Sequence, residues 1–276
     1  LGRAGLVALV VVALFAASHY RVFDNDPERS PYEDVRQVPA GHLLSFKEGR
    51  ASLKPYWTMG DFPDWTESED ILAGRYRDLL LDAVSLRLKS APGAAFTLSG
   101  GMDSSSVLAC AAKSSGAPRR AVSTVYDDKT YDESADIKDM LAASASEWHP
   151  VRVGDPDLAA VVGKMVEVHD EPVATATWLS HYLMCGAVRR LEIGALFGGL
   201  GGDELNAGEY EHFFYFFADL KAAGQDEVLR KETGSWIEHH DHPVFKKSFS
   251  VMEEGLKRLV DLSQPGRCLA DRGRLE

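Results

Sequence analysis

Along residues 69–90 apolar positions recur at helical spacing, with Ile71, Leu72, Tyr76, Leu79, Leu80, Ala83 and Leu86 on one stripe. Thr66-x-x-Glu69 precedes them as a capping box, so the pattern predicts a helix opening there and a new domain starting with it. Beyond residue 90 the period changes. Short apolar runs at Ala94–Leu98, Ala121–Tyr126, His149–Val153 and Ala195–Phe197 predict strands, and stretches near Ser104–Lys113, Glu133–Ala145, 157–169 and 177–192 predict helices between them. Alternation of this kind builds βαβ units, hence an α/β fold with a parallel sheet and helices on both faces. In such sheets ligands bind where strand carboxyl ends run into helix N-termini, which singles out the loops after Leu98 and Phe197.

Upstream the pattern is different. Asp26-Pro27, Ser30-Pro31 and Pro39-Ala40-Gly41-His42 are turn signals, and His42–Phe46 followed by Lys47-Glu48-Gly49 predicts hairpin strands at a domain edge. Met59–Trp65 reads as linker. The organisation expected is a partial β-rich unit over 1–57, a linker over 58–68 and an α/β domain over 69–276. Leu6–Ala17 is a run of 12 apolar residues after Arg3, ending in Ala16-Ala17-Ser18 in the manner of a secretory signal. It is too short to span a bilayer. With no Met or basic region ahead of it, it reads as a buried helix or strand of a domain that continues upstream. Leu1 in place of Met points the same way, to a fragment or a processed product.

Composition narrows the function classes. A chain of 276 residues with 45% apolar and 26% charged positions supports a packed core in one or two domains. Its 30 basic against 42 acidic side chains give a net charge of −12, which argues against nucleic acid as a partner. Cys110, Cys185 and Cys268 show no metal-ligand spacing, which argues against a disulfide framework and structural zinc and favours a reducing, cytoplasmic setting.

The first loop reads Ser99-Gly100-Gly101-Met102-Asp103-Ser104-Ser105-Ser106 between a strand and a helix. Its glycines admit close backbone approach, and its hydroxyls and helix N-terminal N–H groups suit a phosphate. The lysine of a Walker loop is missing, so pyrophosphate as a leaving group fits better than γ-phosphoryl transfer. Asp103 beside a polyphosphate calls for a bridging divalent cation, with magnesium the natural choice. The second loop, Gly198-Gly199-Leu200-Gly201-Gly202-Asp203-Glu204-Leu205-Asn206-Ala207-Gly208, holds five glycines in eleven residues and ends in adjacent acids at a predicted helix start. Asp203 is the second candidate magnesium ligand. The plainer alternatives are a Ser/Gly turn with a helix cap in the first loop and two capping acids on a solvated helix in the second.

At these loops the chain resembles the asparagine synthetase family. Leu98–Ser106 is similar to the pyrophosphate-loop signature of the family's C-terminal synthetase domain, and Gly199–Gly208 to its second glycine-rich loop. Ser123-Thr124-Val125-Tyr126 resembles the family's adenine-contacting strand, Tyr131-Asp132-Glu133-Ser134-Ala135 its following helix start, and Asp170-Glu171-Pro172 its acidic-Pro turn. Residues 31–57 resemble the hairpin closing the family's glutaminase domain. The resemblance implies an adenine nucleotide alpha hydrolase-like fold and ATP-dependent amide formation: a substrate carboxylate is adenylated with release of pyrophosphate, then ammonia or an amine displaces AMP. It further implies that the backbones of Leu98 and Val125 hold adenine and that Ser99, Gly100, Gly101, Ser104 and Ser105 hold pyrophosphate. Gly198 and Gly199 would flank the nucleotide, and Asp103 and Asp203 would hold Mg²⁺ and act catalytically. The implied partners are a small carboxylate and an amine or ammonia donor, with no nucleic acid or membrane and with a homodimer as the assembly to test.

Two departures qualify this. Leu200 stands where the family usually has an acid implicated in using the aspartyl-adenylate, and Asn206-Ala207 stands where Phe-Gly is more usual. The family's catalytic lysine has no clear counterpart; Lys246 and Lys247 are weak candidates. No cysteine precedes Cys110 to serve as a glutaminase nucleophile. Alternative readings are a natural-product amide ligase, of the β-lactam synthetase or lasso-peptide cyclase kind, and a non-catalytic ATP-binding relative. Elsewhere, Glu238-His239-His240-Asp241-His242 reads as a polar loop rather than a metal site, Tyr210–Phe217 as a helix buried on the sheet, and Cys110 as a small core residue.

Overall fold

The structure is a computed structural model that describes residues 28–30, 32–58, 66–154, 156–170, 173, 177–239 and 246–259. The apolar run 6–17, the linker 59–65, Glu171-Pro172, His240–Pro243 and Cys268 lie outside the described residues.

The N-terminal elements are β1 (His42–Lys47) and β2 (Arg50–Pro55), an antiparallel pair in register from His42↔Pro55 to Lys47↔Arg50. Glu48 and Gly49 make the two-residue turn at φ 53° and 75°, the left-handed pair that matches strand twist. Gly41, at φ 71°, closes the other end: its carbonyl accepts from the N–H groups of Tyr56 and Trp57, and a β-carbon there would meet the Trp57 carbonyl at 2.4 Å. Both faces of this hairpin are exposed, with Phe46 76% and Tyr56 74% accessible.

Helix α1 (Glu69–Ser90) follows. Its N-cap is Ser68 rather than Thr66, and no side chain caps it, so the expected capping box does not form. Only its C-terminal half packs: Val84 and Leu88 are buried with Leu80 beside them, while Ile71, Tyr76, Leu79 and Leu86 are exposed. The buried stripe is therefore rotated from the one expected, because i, i+4, i+8 positions at the helix end are the ones that reach the core.

The sheet comprises β3 (Ala95–Thr97), β4 (Arg119–Tyr126), β5 (Ala145–Val153) and β6 (Leu196–Phe197), all parallel, in the order β5-β4-β3-β6. Between strands run α2 (Met102–Ser115), α3 (Lys138–Ser144), α4 (Leu158–His169) and α5 (Thr177–Arg190). On one face Phe96, Leu98 and Ala121 pack with Val84, Leu88, Leu108 and Ile137 of the α1–α2–α3 side. On the other, Ala95 and Val122 pack with Met184, Val188 and Ile193. This alternation of Ala95 and Phe96 to opposite faces is the pleat at work, and it gives the parallel sheet with helices on both faces.

One predicted helix is shorter than expected. The helix read from Glu133 begins only at Lys138, because Ser134 Oγ donates to the Asp132 carboxylate and the chain turns there, with the Asp136 N–H on the Glu133 carbonyl. Such local side-chain bonds compete with helix.

Beyond the sheet lie α6 (Gly202–Asn206), α7 (Tyr210–Ala222), α8 (Asp226–His239) and α9 (Phe249–Leu259). The aromatic helix α7 packs on α8 and α9, not on the sheet as expected: Phe214, Phe217, Leu220, Leu229, Trp236, Met252 and Leu256 form a separate core. Glu238 and His239 belong to α8, and the rest of the polar loop expected from Glu238 lies outside the described residues. No helix among the described residues is long and apolar enough to cross a membrane.

Candidate active site

From β3 the chain proceeds through β4 to β5 on one side, then returns to place β6 on the other side of β3. That reversal opens a crevice at the carboxyl ends of β3 and β6. Both glycine-rich loops leave from these ends, one from Leu98 and one from Gly198.

Their contact explains the glycines. A β-carbon at Gly198 would meet Thr97 Oγ1 at 2.4 Å, and one at Gly199 would meet the Ser104 nitrogen at 2.5 Å and the Asp103 carbonyl carbon at 2.6 Å. One at Gly202 would meet the Asp103 carboxyl carbon at 2.2 Å, and one at Gly208 would meet Asp203 Oδ1 at 1.8 Å. The second loop thus lies directly on the first turn of α2, with the two aspartates packed against its glycines. Burial, then the charges of Asp203 and Glu204, hold the Asp103 carboxyl above the ordinary carboxylate range. A cation set among these acids would relieve that repulsion.

Within the first loop the polar groups largely satisfy one another. The Ser99 N–H donates to Ser104 Oγ at 3.0 Å, the two hydroxyls are 2.8 Å apart, and the Gly101 N–H donates to Ser99 Oγ at 3.2 Å. Ser104 is buried, whereas Ser105 is half-buried and its N–H reaches the Gly101 carbonyl. The Gly100 N–H donates to the Glu133 carboxylate at 2.8 Å, a contact no sequence pattern had assigned. The N–H groups of Met102 and Asp103, at the start of α2, have no partner among the described residues.

The expected site residues are therefore brought together with one exception. Leu98, Ser99, Gly100, Gly101, Asp103, Ser104, Ser105, Gly198, Gly199 and Asp203 gather at the crevice; Leu98 is 3% exposed, which leaves its backbone as the accessible part. Val125 stands further along β4, three residues past Val122, the partner of Thr97. It lines a separate cavity of about 470 Å³ with Tyr126, Trp148, Pro150 and Arg152, which none of the other expected residues enters. Lys247 sits over the Trp236 ring at 5.5 Å, in the helical module. Among the described residues no group of three or more His, Cys, Asp or Glu is arranged to hold a metal by itself. Two carboxylates suit magnesium only when phosphate oxygens complete its shell, and the free first-turn amides of α2 fit such a phosphate.

The mouth of the crevice is both acidic and apolar. Met102, Leu200 and Leu205 are 83%, 87% and 85% exposed. The Asn206 side-chain amide donates to the Tyr76 hydroxyl at 3.1 Å and so ties the second loop to α1. Cys110, in α2, packs against the core but is half-buried rather than fully buried as expected, and burial raises its thiol above the usual range.

The chain is similar in sequence to several known proteins. Amidase chyE of Penicillium rubens is 30% identical over 209 residues, which cover 67% of this chain and 30% of that protein. Asparagine synthetase [glutamine-hydrolyzing] 3 of Bacillus subtilis is 27% identical over 238 residues, 78% of this chain and 38% of that one. Putative asparagine synthetase [glutamine-hydrolyzing] 2 of Methanocaldococcus jannaschii is 26% identical over 187 residues, 66% of this chain and 36% of that one. The aligned stretch thus spans 30% to 38% of the length of these relatives. The family model for asparagine synthase matches residues 75–252, from α1 through both glycine loops and into α9, and the chain, a divergent member, belongs to the asparagine synthase family.

Proposed function

We propose that this chain carries the site of an ATP-dependent, amide-forming ligase that adenylates a substrate carboxylate, releases pyrophosphate, and passes the acyl group to ammonia or an amine. The observation that supports it most is the packing of the second glycine loop onto Asp103 and the first turn of α2, which sets two aspartates beside unpartnered helix N–H groups. In this reading the α2 amides and the Ser105 hydroxyl receive the phosphates and the Leu98 backbone holds adenine, while Val125, which lines a separate cavity, is left out of the nucleotide site. Asp103 and Asp203 hold Mg²⁺, which supplies charge stabilisation for the departing pyrophosphate. Residues 1–57 are read as the tail of a glutaminase-like domain, 58–68 as linker, and 69–276 as the synthetase domain.

A specific observation favours a branch of this reading. The loops 98–106 and 198–210 contain no Lys or Arg, and three apolar side chains stand exposed at their mouth. That combination suits an apolar monocarboxylic acid better than aspartate, because these loops offer a second carboxylate no cation. The similarity to amidase chyE is compatible with amide chemistry in general. ATP–pyrophosphate exchange across a panel of carboxylic acids is the test. Acid-dependent exchange that disappears in Asp103→Asn supports the ligase, whereas nucleotide binding without exchange would make the chain a binding module.

A further inference from the structure

We infer that Glu133 is a positioning residue that fixes the first glycine loop by accepting the Gly100 N–H, so that phosphate recognition falls to the first turn of α2; the consequence for phosphate rests on the proposed nucleotide reading. The bond spans 33 residues of sequence at 2.8 Å. Gly100 is pressed onto the same turn, since a β-carbon there would lie 3.1 Å from Asp136 Cβ and 3.5 Å from Glu133 Cβ.

Glu133 is delivered by an anchored segment. On one side of it, the Asp132 carboxylate accepts from Ser134 Oγ at 2.6 Å, Lys129 Nζ at 3.0 Å and the Tyr126 N–H at 3.3 Å, which ties the turn to the end of β4. On the other, Ile137 is 2% exposed in the core with Leu108. A side chain held between two such anchors is placed to brace the loop. With Ser99 and Gly101 already bonded to loop hydroxyls, Glu133 completes the set of three consecutive committed N–H groups. The first-turn N–H groups of α2 that keep no partner among the described residues are those of Met102, Asp103 and Ser104. The opposite arrangement, in which Glu133 only holds the place of a phosphate, requires it to leave when nucleotide arrives.

Three proteins separate the two: wild type, Glu133→Gln, which keeps an acceptor oxygen without the charge, and Glu133→Ala, which keeps neither. Amide hydrogen exchange at Gly100 reports the brace without reference to activity. Exchange should accelerate at least about tenfold in Glu133→Ala and change little in Glu133→Gln, as expected for loss of one bond to a charged group. An unchanged Gly100 rate in Glu133→Ala overturns the inference. Magnesium-ATP affinity should fall about tenfold or more in Glu133→Ala, with KM for the carboxylic acid unaffected, and recover in Glu133→Gln. Tighter nucleotide binding by both variants would identify a place-holder and overturn the brace. Wild-type protein that binds no nucleotide overturns the ligase reading instead, while the Gly100 rates still decide the role of Glu133.

Discussion

Gly202 lies so close to Asp103 that a β-carbon on the glycine would stand 2.2 Å from the carboxyl carbon of the aspartate. A nearby glycine, Gly199, is also tight, its β-carbon position lying 2.5 Å from the Ser104 nitrogen and 2.6 Å from the Asp103 carbonyl carbon. The two differ in what must yield. In Gly202→Ala the Asp103 carboxylate can rotate away, so stability should change by less than about 1 kcal/mol while the cation site is displaced, and a displacement near 1 Å costs about 100-fold in activity. In Gly199→Ala the backbone of α2 must move, at an overpacking cost of about 1–3 kcal/mol. Thermal unfolding beside ATP–pyrophosphate exchange measures both, and equal loss of stability in the two variants would contradict this account of the loop.

Asp103 and Asp203 are expected to act as a pair. Asp103→Asn or Asp203→Asn should abolish magnesium-dependent exchange, by roughly a thousandfold or more for several kcal/mol of lost charge stabilisation, with the fold intact. The raised Asp103 carboxyl adds a pH signature. A folded-state pKa above the unfolded one means that the folded protein binds this proton more tightly, so its contribution to stability is present at low pH and is lost as pH rises through the folded value. Mg²⁺ added together with ATP should pull the carboxyl down, read as the Asp103 carboxyl ¹³C shift against pH. A titration unmoved by Mg²⁺ and ATP together would rule out Asp103 as a ligand.

Asp132 carries the opposite sign. Hydrogen bonds from Ser134 and Lys129 lower its carboxyl from an ordinary 3.8 to about 2. The stabilisation is therefore present above the ordinary value and is lost as pH falls through about 2. Protection of the Tyr126 amide, which donates to this carboxylate, should decline over that window in the wild type and show no such decline in Asp132→Asn.

Which parts of this arrangement could be read from the chain alone follows from how local each signal is. Clustered glycines and acids at a strand-to-helix junction announce themselves in one loop, so both loops, and the sheet between them, were legible. The Asp132–Ser134 turn was also local, but helix periodicity over the same residues outweighed it. The Glu133–Gly100 bond joins positions 33 apart, and nothing in either segment names the other. The same limit applies to α7: its aromatic stripe specifies burial and leaves open whether the sheet or α8 and α9 covers it. In α1 the apolar residues outnumber those that find partners among the described residues, so periodicity alone could not locate the buried face.

Ala207 offers a test of backbone strain. It sits in the left-handed region at φ 57° and ψ 44°, at the end of α6. A side chain costs roughly 1–2 kcal/mol there, partly offset by the greater unfolded-state entropy of glycine. Ala207→Gly should thus stabilise the protein by about 0.5–1 kcal/mol. Chemical denaturation measures this, and destabilisation would show that Ala207 makes packing contacts that outweigh its dihedral strain.

The last expectation concerns Leu200, which follows Gly199 directly and is 87% exposed at the mouth of the crevice. A leucine there can neither accept a hydrogen bond nor offset an ammonium charge. A charge-assisted hydrogen bond contributes about 1.5–3 kcal/mol, so its loss should cost roughly 10- to 150-fold in aspartate use. The wild type should therefore favour larger or less polar carboxylic acids in the exchange assay. Leu200→Glu should shift that preference toward aspartate by a similar factor, through an acceptor for its ammonium group. If the wild type already uses aspartate efficiently and Leu200→Glu brings no improvement, Leu200 does not set specificity, and asparagine synthesis becomes the better account of the site.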